Sequence, residues 1–377
     1  MSANPIFTVR ARGASRMRIT ILKCSELLRH VISYVGNYDP QMANFLVGLH
    51  VLILAITVTA FTQDSVHWHD PSHHKVQFVT VEEGVRLEVL DWGGTGRPVV
   101  LLAGLGYTAH VFDGFAEKLT NSYHVYGITR RGYGASSRPA SGYTEQRRAE
   151  DDLRVFDALG LVAPVVAGHS VAGHELSELG IHHYQRIAGV VYLEALNDGT
   201  EDYSDYDAVC NKLPEAMRKP PSPSPADLKS FQSDHDWKAR TEGISIPEAE
   251  LRNQFNENPD GTVGAYKIPG NVPAAIMEGD HKHDYSDIRV PVLAFVGYPE
   301  LPQDQIRKNH VTDPADRITV EAVFGTYVGM TKHRIKRIEE AAGGAHVVEL
   351  WGASHFVFLS NEADVLRELR AFLSTLH

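Results

Sequence analysis

The sequence predicts an α/β fold: a mostly parallel central sheet, helices on both faces, and a helical cap inserted over the sheet's carboxyl edge. Three observations predict it. Short, uniformly apolar runs recur, as strands buried on both faces require: PVVLLA at 98–103, APVVA at 163–167, IAGVVYL at 187–193 and VPVLAFV at 290–296. Helical segments separate most of these runs, the pattern of a sheet covered on both sides. The stretch 196–287 breaks the alternation, with Pro214, Pro220, Pro221, Pro223 and Pro225 and a run of acids from Asp198 to Asp207. A structureless loop that long does not suit a compact domain, so it reads as a helical insertion.

Composition sets the outer bounds. Of 377 residues, 43% are hydrophobic and 22% charged, as in ordinary globular proteins. A net charge of -11 speaks against nonspecific nucleic-acid binding, which rests on basic surface. Cys24 and Cys210 are the only cysteines, so a disulfide framework and a cysteine zinc site are excluded. Stability must come from a large buried core, which a chain of this length can supply.

Residues 1–63 read as a leader. The first 38 carry Arg10, Arg12, Arg16, Arg18, Lys23 and Arg29 against one acid, Glu26. Residues 40–63 contain no Asp, Glu, Lys or Arg, and Phe45 to Phe61 is almost continuously apolar. That length is at the short edge of the roughly 17–25 residues a spanning helix needs. The run ends in Val58-Thr59-Ala60, compatible with signal cleavage. It is either a signal peptide with a long basic front or an uncleaved anchor attaching the chain to a membrane through residues 45–61. Both readings put the body outside the cytoplasm, periplasmic, secreted or tethered. A start at Met17 or Met42 would shorten the front. A buried core helix is the competing reading, and the run's place outside everything domain-like argues against it.

Residues 64–74 (DSVHWHDPSHH) hold His67, His69, His73 and His74. Imidazole is a common metal ligand. No H-E-x-x-H spacing accompanies these histidines, so the stretch reads as a solvated linker and no metal is expected.

The body then follows in order. Lys75–Val81 and Val85–Leu90 alternate as a hairpin around Glu82-Glu83-Gly84. Strand 98–103, helix His110–Leu119, strand Val125–Thr129, helix Thr144–Leu159, strand 163–167, helix Val171–Ile187 and strand Ile187–Leu193 complete a first core segment, 75–195. The cap occupies 196–287. Strands Val290–Val296 and His346–Leu350 and a final helix make the second core segment, 288–377. In that helix Val365, Leu366, Leu369, Phe372, Leu373 and Leu376 recur at helical spacing.

Gly168-His169-Ser170-Val171-Ala172-Gly173 stands between a buried strand and a helix. A turn that tight forces its central residue into a strained conformation and lifts the side chain above the sheet, and it needs small neighbours. The usual pattern is G-x-S-x-G; Ala172 replaces the last glycine. A serine hydroxyl is a weak nucleophile that needs a base and an acid to orient that base. His355, in Gly352-Ala353-Ser354-His355-Phe356, is the best base, because it follows the last strand at the edge where parallel sheets present ligand-contacting residues. His110 and His174 read as polar packing residues.

The body resembles the α/β-hydrolase superfamily from roughly Lys75 to His377. Ala103-Gly104-Leu105-Gly106 resembles the family's oxyanion loop, with Ala103 where many members have His. Thr129-Arg130-Arg131-Gly132-Tyr133-Gly134-Ala135-Ser136 resembles its turn after the next strand, and the order Ser, acid, His agrees. The resemblance implies an oxyanion hole from the N–H groups of Leu105 and Val171, aimed at the oxygen that gains charge in acyl transfer. Two acids compete. Glu194 directly follows IAGVVYL and resembles the acid position of certain capped members such as some haloalkane dehalogenases. Glu300 follows the next strand, where most of the family keeps its acid, and Asp304 comes after it. Glu194 is preferred because it needs no loop to place it.

Ser170 speaks against relatives with an Asp nucleophile, the dehalogenases and epoxide hydrolases. The expected activity is cleavage of a small-molecule carboxylic ester, or a related acyl bond, through an acyl-serine, with no cofactor. Tyr203, Tyr206, Phe231, Trp237 and Phe255 of the cap are candidates to line the pocket. A non-catalytic binding protein or receptor on this fold, or a cofactor-free perhydrolase, are the alternatives.

Overall fold

The computed structural model describes residues 68–196, 201–219 and 221–376, and Asp70–His377 forms one compact unit. The leader, with its apolar run at 45–61, lies outside the described residues. Among the described residues no helix is long and apolar enough to cross a membrane.

Eight strands form the main sheet: β1 Lys75–Glu82, β2 Val85–Gly93, β3 Pro98–Leu102, β4 His124–Thr129, β5 Val165–His169, β6 Gly189–Leu193, β9 Val292–Tyr298 and β10 Ala345–Trp351. Their order is β1-β2-β4-β3-β5-β6-β9-β10. The hairpin β1–β2 and the pair β2–β4 are antiparallel; all other neighbours are parallel. The apolar runs sort their side chains by strict alternation. Val100, Leu102, Val166, Val190, Tyr192, Val292 and Ala294 enter one core, under helices α1 (Glu145–Leu159) and α2 (Ala172–His182) and the end of α9 (Pro314–Ile338). Val99, Leu101, Val165, Ala167, Val191, Leu193, Leu293 and Phe295 enter the other, under the helical turns of Ala109–Leu119 and the last helix, α10 (Glu362–Thr375).

Local chemistry sets the helix ends. Thr144 caps α1 by accepting from the Arg147 N–H, and Gly160, at φ 64°, closes it in the left-handed conformation. The expected helix over His110–Leu119 is three short pieces, a 3-10 turn at Ala109–Phe112, one α turn and a second 3-10 turn. The expected helix from Val171 to Ile187 stops at His182 and resumes as a 3-10 turn at Tyr184–Arg186.

Between β6 and β9 the cap carries α3 (Ser204–Cys210), α4 (Glu215–Arg218), α5 (Phe231–Glu242), α6 (Glu248–Gln254), a small hairpin of β7 (Phe255–Glu257) and β8 (Val263–Tyr266), and α7 (Asn271–Glu278). Phe231, Ile244, Ile246 and Leu251 form its own small core, which packs on Tyr107 and Phe356. Ile268, Val272 and Ile276 pack with Val171 and Leu105. The cap therefore sits directly over the elbow and the oxyanion loop.

The sequence pattern left 299–345 without an element. Two helices fill it, α8 (Pro302–Lys308) and the 25-residue α9. α9 buries only Val320, Thr331, Arg334, Ile335 and Ile338, so no apolar stripe announced it. Its start is capped in the ordinary way: Asp313 accepts from the Ala315 and Asp316 N–H groups, and Pro314 takes the first helical position.

Candidate active site

Ser170 stands at the turn from β5 into α2 with φ 55°, a left-handed backbone conformation that a non-glycine residue occupies only where surrounding structure imposes it. Its own N–H donates to the Leu193 carbonyl (3.4 Å) and its carbonyl accepts from the Gly173 N–H (2.9 Å). Small residues permit the turn. A side chain on Gly173 would meet the Ala195 carbonyl oxygen at 2.0 Å, and one on Gly168 would meet Ala172 at 2.9 Å.

The candidate oxyanion loop closes over this elbow. A methyl on Gly104 would lie 2.7 Å from His169 Nδ1 and 3.2 Å from Ser170 Cβ. Gly106 takes φ 85°, and its carbonyl accepts from the Tyr266 hydroxyl of the cap (3.3 Å). Arg130 supports the loop from below. Its guanidinium donates to the Ala103 carbonyl (3.0 Å) and in a fork to the Glu175 carboxylate (2.8 and 2.6 Å). Among the described residues the N–H groups of Leu105 and Val171 donate to no acceptor. Glu250 of α6 accepts from the Thr108 N–H (3.1 and 3.2 Å) and from its hydroxyl, and so ties the cap to the same loop. Burial raises the Glu250 carboxyl to about 7.

His355 lies in the loop after β10. The residue before Ser170 holds it there: His169 Nε2–H donates to the His355 carbonyl (2.9 Å), and the two rings stand 4.6 Å apart. Because a carbonyl only accepts, this bond sets the His169 tautomer and leaves Nδ1 bare. Burial holds His169 well below the ordinary histidine range. His355 is lowered as well, by desolvation and then by the Arg334 charge, so its imidazole is neutral near pH 7.

The structure separates the two acids. Glu194 follows β6 with φ 52°, the same unusual conformation as Ser170. Its carboxylate accepts from the Gly297 N–H and from the Tyr327 hydroxyl (3.4 Å). Desolvation raises it to about 7, against the pull of Gly297, Arg334 and Tyr327. A methyl on Gly297 would touch Glu194 Oε2 (3.2 Å), Ala353 (3.4 Å) and the Ser354 carbonyl (3.5 Å), so the carboxylate lies beside the His355 loop. Glu300 is on the surface, paired with Lys308 (3.2 Å); Asp304 is likewise an exposed partner of Arg307. Among the described residues no hydrogen bond joins Ser170 Oγ, the His355 ring and Glu194. Catalytic hydrogen bonds commonly tighten only when substrate binds.

A cavity of about 680 Å³ opens on the His355 side, walled by Tyr206, Met217, Val323, Phe324, Tyr327 and His355 among others. Neither Ser170 nor the oxyanion loop is among its described walls. Of the cap aromatics expected to line a pocket, only Tyr206 does. Phe231 is in the cap core, Phe255 packs on Tyr266, Tyr203 accepts from Arg334, and Lys238 lies over the Trp237 ring. Tyr327 and Arg334 were missed, because both come from α9.

The alpha/beta hydrolase family matches residues 99–368, which include the elbow, both candidate acids and His355. The chain belongs to that family. The hydrolase is 36% identical over 112 residues to a protein of Caulobacter segnis named putative carbamate hydrolase RutD, covering 29% of this chain and 42% of the relative. It is 28% identical over 122 residues to a putative non-heme haloperoxidase of Mycobacterium phage D29, covering 32% and 44%. The matched regions thus span less than half the length of either relative. The crystal structure of E-2-(acetamidomethylene)succinate hydrolase superposes with a TM-score of 0.57 at 17% identity, over 80% of this chain and 100% of that one, a likeness of fold.

Proposed function

We propose that this hydrolase cleaves a carboxylic ester, or a related acyl bond, through an acyl-serine on Ser170. The observation that carries the reading is the left-handed Ser170 at a strand-to-helix turn, under two N–H groups that have no acceptor of their own. Ser170 Oγ attacks the carbonyl carbon while the neutral His355 ring takes its proton. The oxygen that gains charge receives the Leu105 and Val171 N–H groups. The tetrahedral adduct expels the alcohol, which leaves with the proton from His355. Water then attacks the acyl-serine, again deprotonated by His355, and releases the acid. Glu194 supplies the carboxylate that stabilises the imidazolium. The cavity beside His355 has the volume of a small-molecule site, within the usual ~300–1,000 Å³.

A fluorophosphonate probe tests the reading. It should label the wild type at Ser170, and a p-nitrophenyl ester series of rising acyl length should then rank its substrates. A chain left unlabelled would favour a non-catalytic binding protein. Perhydrolysis, suggested by the haloperoxidase-named relative, would share the label but would need peroxide in place of water at the second step.

We propose further that the leader exports the catalytic body. A reporter fused after Gln63 in a bacterial host should leave the cytoplasm, with a new terminus at Phe61 if cleaved or membrane retention if anchored. A wholly cytosolic reporter discards both forms.

A further inference from the structure

Among the described residues two clusters of ligand-type side chains lie outside the candidate active site: Glu145 with His174 and His283, and Asp70 with His74, His110 and Asp113. They differ in how far their polar atoms are satisfied. Glu145 Oε2 already accepts from His174 Nδ1 (3.2 Å), His283 Nε2 (3.0 Å) and the His281 N–H (3.1 Å). In the second cluster His110 Nδ1 and Asp113 Oδ2 are buried without a hydrogen-bond partner among the described residues, in residues only 5% and 4% exposed. A buried orphan costs about 1–3 kcal/mol, and two facing each other call for an explanation such as an ion.

The remaining bonds show which atoms are left over. Asp113 Oδ1 accepts from His74 Nδ1 (2.9 Å) and from Trp92 Nε1 (3.0 Å), which leaves Oδ2 bare. His74 gives Nδ1–H to Asp113 and turns Nε2 toward Asp70 Oδ2 (3.8 Å). His110 turns Nε2 toward Glu88 (3.8 Å) and Nδ1 toward Asp113 Oδ2 (3.4 Å) and Asp70 Oδ2 (3.5 Å). His110 thus has one nitrogen facing Glu88, outside the cluster, and the other turned inward, the arrangement by which outer carboxylates orient histidine ligands, while His74 is held through Nδ1 by Asp113 itself. The inner separations are long for hydrogen bonds. Those from His110 to Asp113 and to Asp70 are close to the edge of a tetrahedron around zinc, about 3.3–3.4 Å for bonds of about 2.0–2.1 Å, and that from His74 to Asp70 is longer. Three carboxyl groups, Asp70, Glu88 and Asp113, surround the two imidazoles, a donor set whose acidic side chains outnumber its basic ones.

We propose that Asp70, His74, His110 and Asp113 form a structural site for a divalent transition-metal ion, zinc by its mixed nitrogen and oxygen donors. All four positions come from the protein, so the site is closed and does no chemistry on substrate. Its place gives it a task. His110 and Asp113 begin the helical turns that follow Thr108 and the oxyanion loop, while Asp70 and His74 precede β1. The ion would pin the segment entering the fold to the segment that carries the loop. The expectation that 64–74 is a solvated linker without metal is revised for its last residues, because the His74 side chain is 4% exposed and Asp70 faces His110.

The test strips the full chain with a chelator and titrates it with cobalt(II), then zinc(II). One equivalent should bind with the intense visible absorption of four-coordinate cobalt, and zinc should displace it. Asp70→Asn and His74→Gln should each weaken uptake by at least about 100-fold, more than Trp92→Phe, which removes an outer-shell donor and should cost about 10-fold. Asp70 is a quarter exposed (24%), so its variant should fold, with fluorophosphonate labelling of Ser170 as the check. His283→Gln should bind as the wild type does. The proposal is overturned by absence of uptake, which leaves a protonated His110 among carboxylates. It is equally overturned by uptake that survives both Asp70→Asn and His74→Gln, or that His283→Gln abolishes.

Discussion

Ser170 and Glu194 stand at the ends of neighbouring parallel strands with nearly the same backbone torsion, φ 55° and 52°. Their surroundings are built differently. Around Ser170 the neighbours are close in sequence and mostly backbone: Gly168, Ala172, Gly173 and, from the adjacent loop, Gly104. Around Glu194 they come from far along the chain: Gly297 at the end of β9, Tyr327 and Arg334 on α9, and the loop that carries His355. A serine held by a local turn is robust to what the rest of the chain does. A carboxyl held by tertiary packing is tuned by it, and burial displaces Glu194 to about 7.

The comparison breaks most sharply at Ser170. Ser170→Ala should lower kcat by about 10⁴–10⁶ while the melting curve stays close to wild type, since triad members act as a unit. Unchanged turnover of the best ester would end the serine-hydrolase reading. The acid is the next largest effect. Glu194→Gln should lose roughly 10³–10⁴ in kcat, by analogy with acid removal in other triads, with Glu300→Gln near wild type because that carboxylate only pairs with Lys308 at the surface. The reverse ranking would move the acid to Glu300; full activity in both would remove both from the mechanism.

Gly104→Ala probes the local half. The added methyl meets His169 at 2.7 Å, so the oxyanion loop must shift, with an expected loss of about 10²–10³ in kcat and little change in KM. An equal rise in KM with kcat intact would instead mean that the loop only shapes the pocket.

The smallest effect is on stability. Glu250 is neutral in the folded protein up to about pH 7, against an ordinary value of 4.5. Below pH 4.5 it is protonated in both states. Between there and about pH 7 the unfolded chain ionises and the folded one does not, so stability falls as pH rises and then levels off. Glu250→Gln removes that fall, and its melting temperature should gain a few degrees on the wild type between pH 4.5 and 7. Parallel curves would show that Glu250 is ionised against Thr108. Glu194 contributes a second fall over the same range, so the variant keeps part of the slope.

The same division separates what the sequence announced from what it concealed. Apolar runs such as PVVLLA and VPVLAFV determined the central strands, because period-two burial on both faces leaves a continuous signal. The turn G-H-S-V-A-G was legible because sterics act between residues adjacent in the chain, and the loop that carries His355 because it follows the last strand. α9 was not legible. It buries few apolar residues and its Tyr327 works by what it reaches, not by any pattern around it. Nor did the sequence decide between two strand-end glutamates. One lies against Gly297 and Tyr327 while the other meets solvent and Lys308. It likewise left the histidines before β1 as a polar stretch, because the two halves of the Asp70–His74–His110–Asp113 cluster are separated along the chain and meet only once the segment lies against Trp92. Contacts within a turn or a strand are written in consecutive residues. Contacts that bring a carboxylate to a distant loop, or four polar side chains around one point, depend on how distant segments pack, and only the tertiary structure decides that.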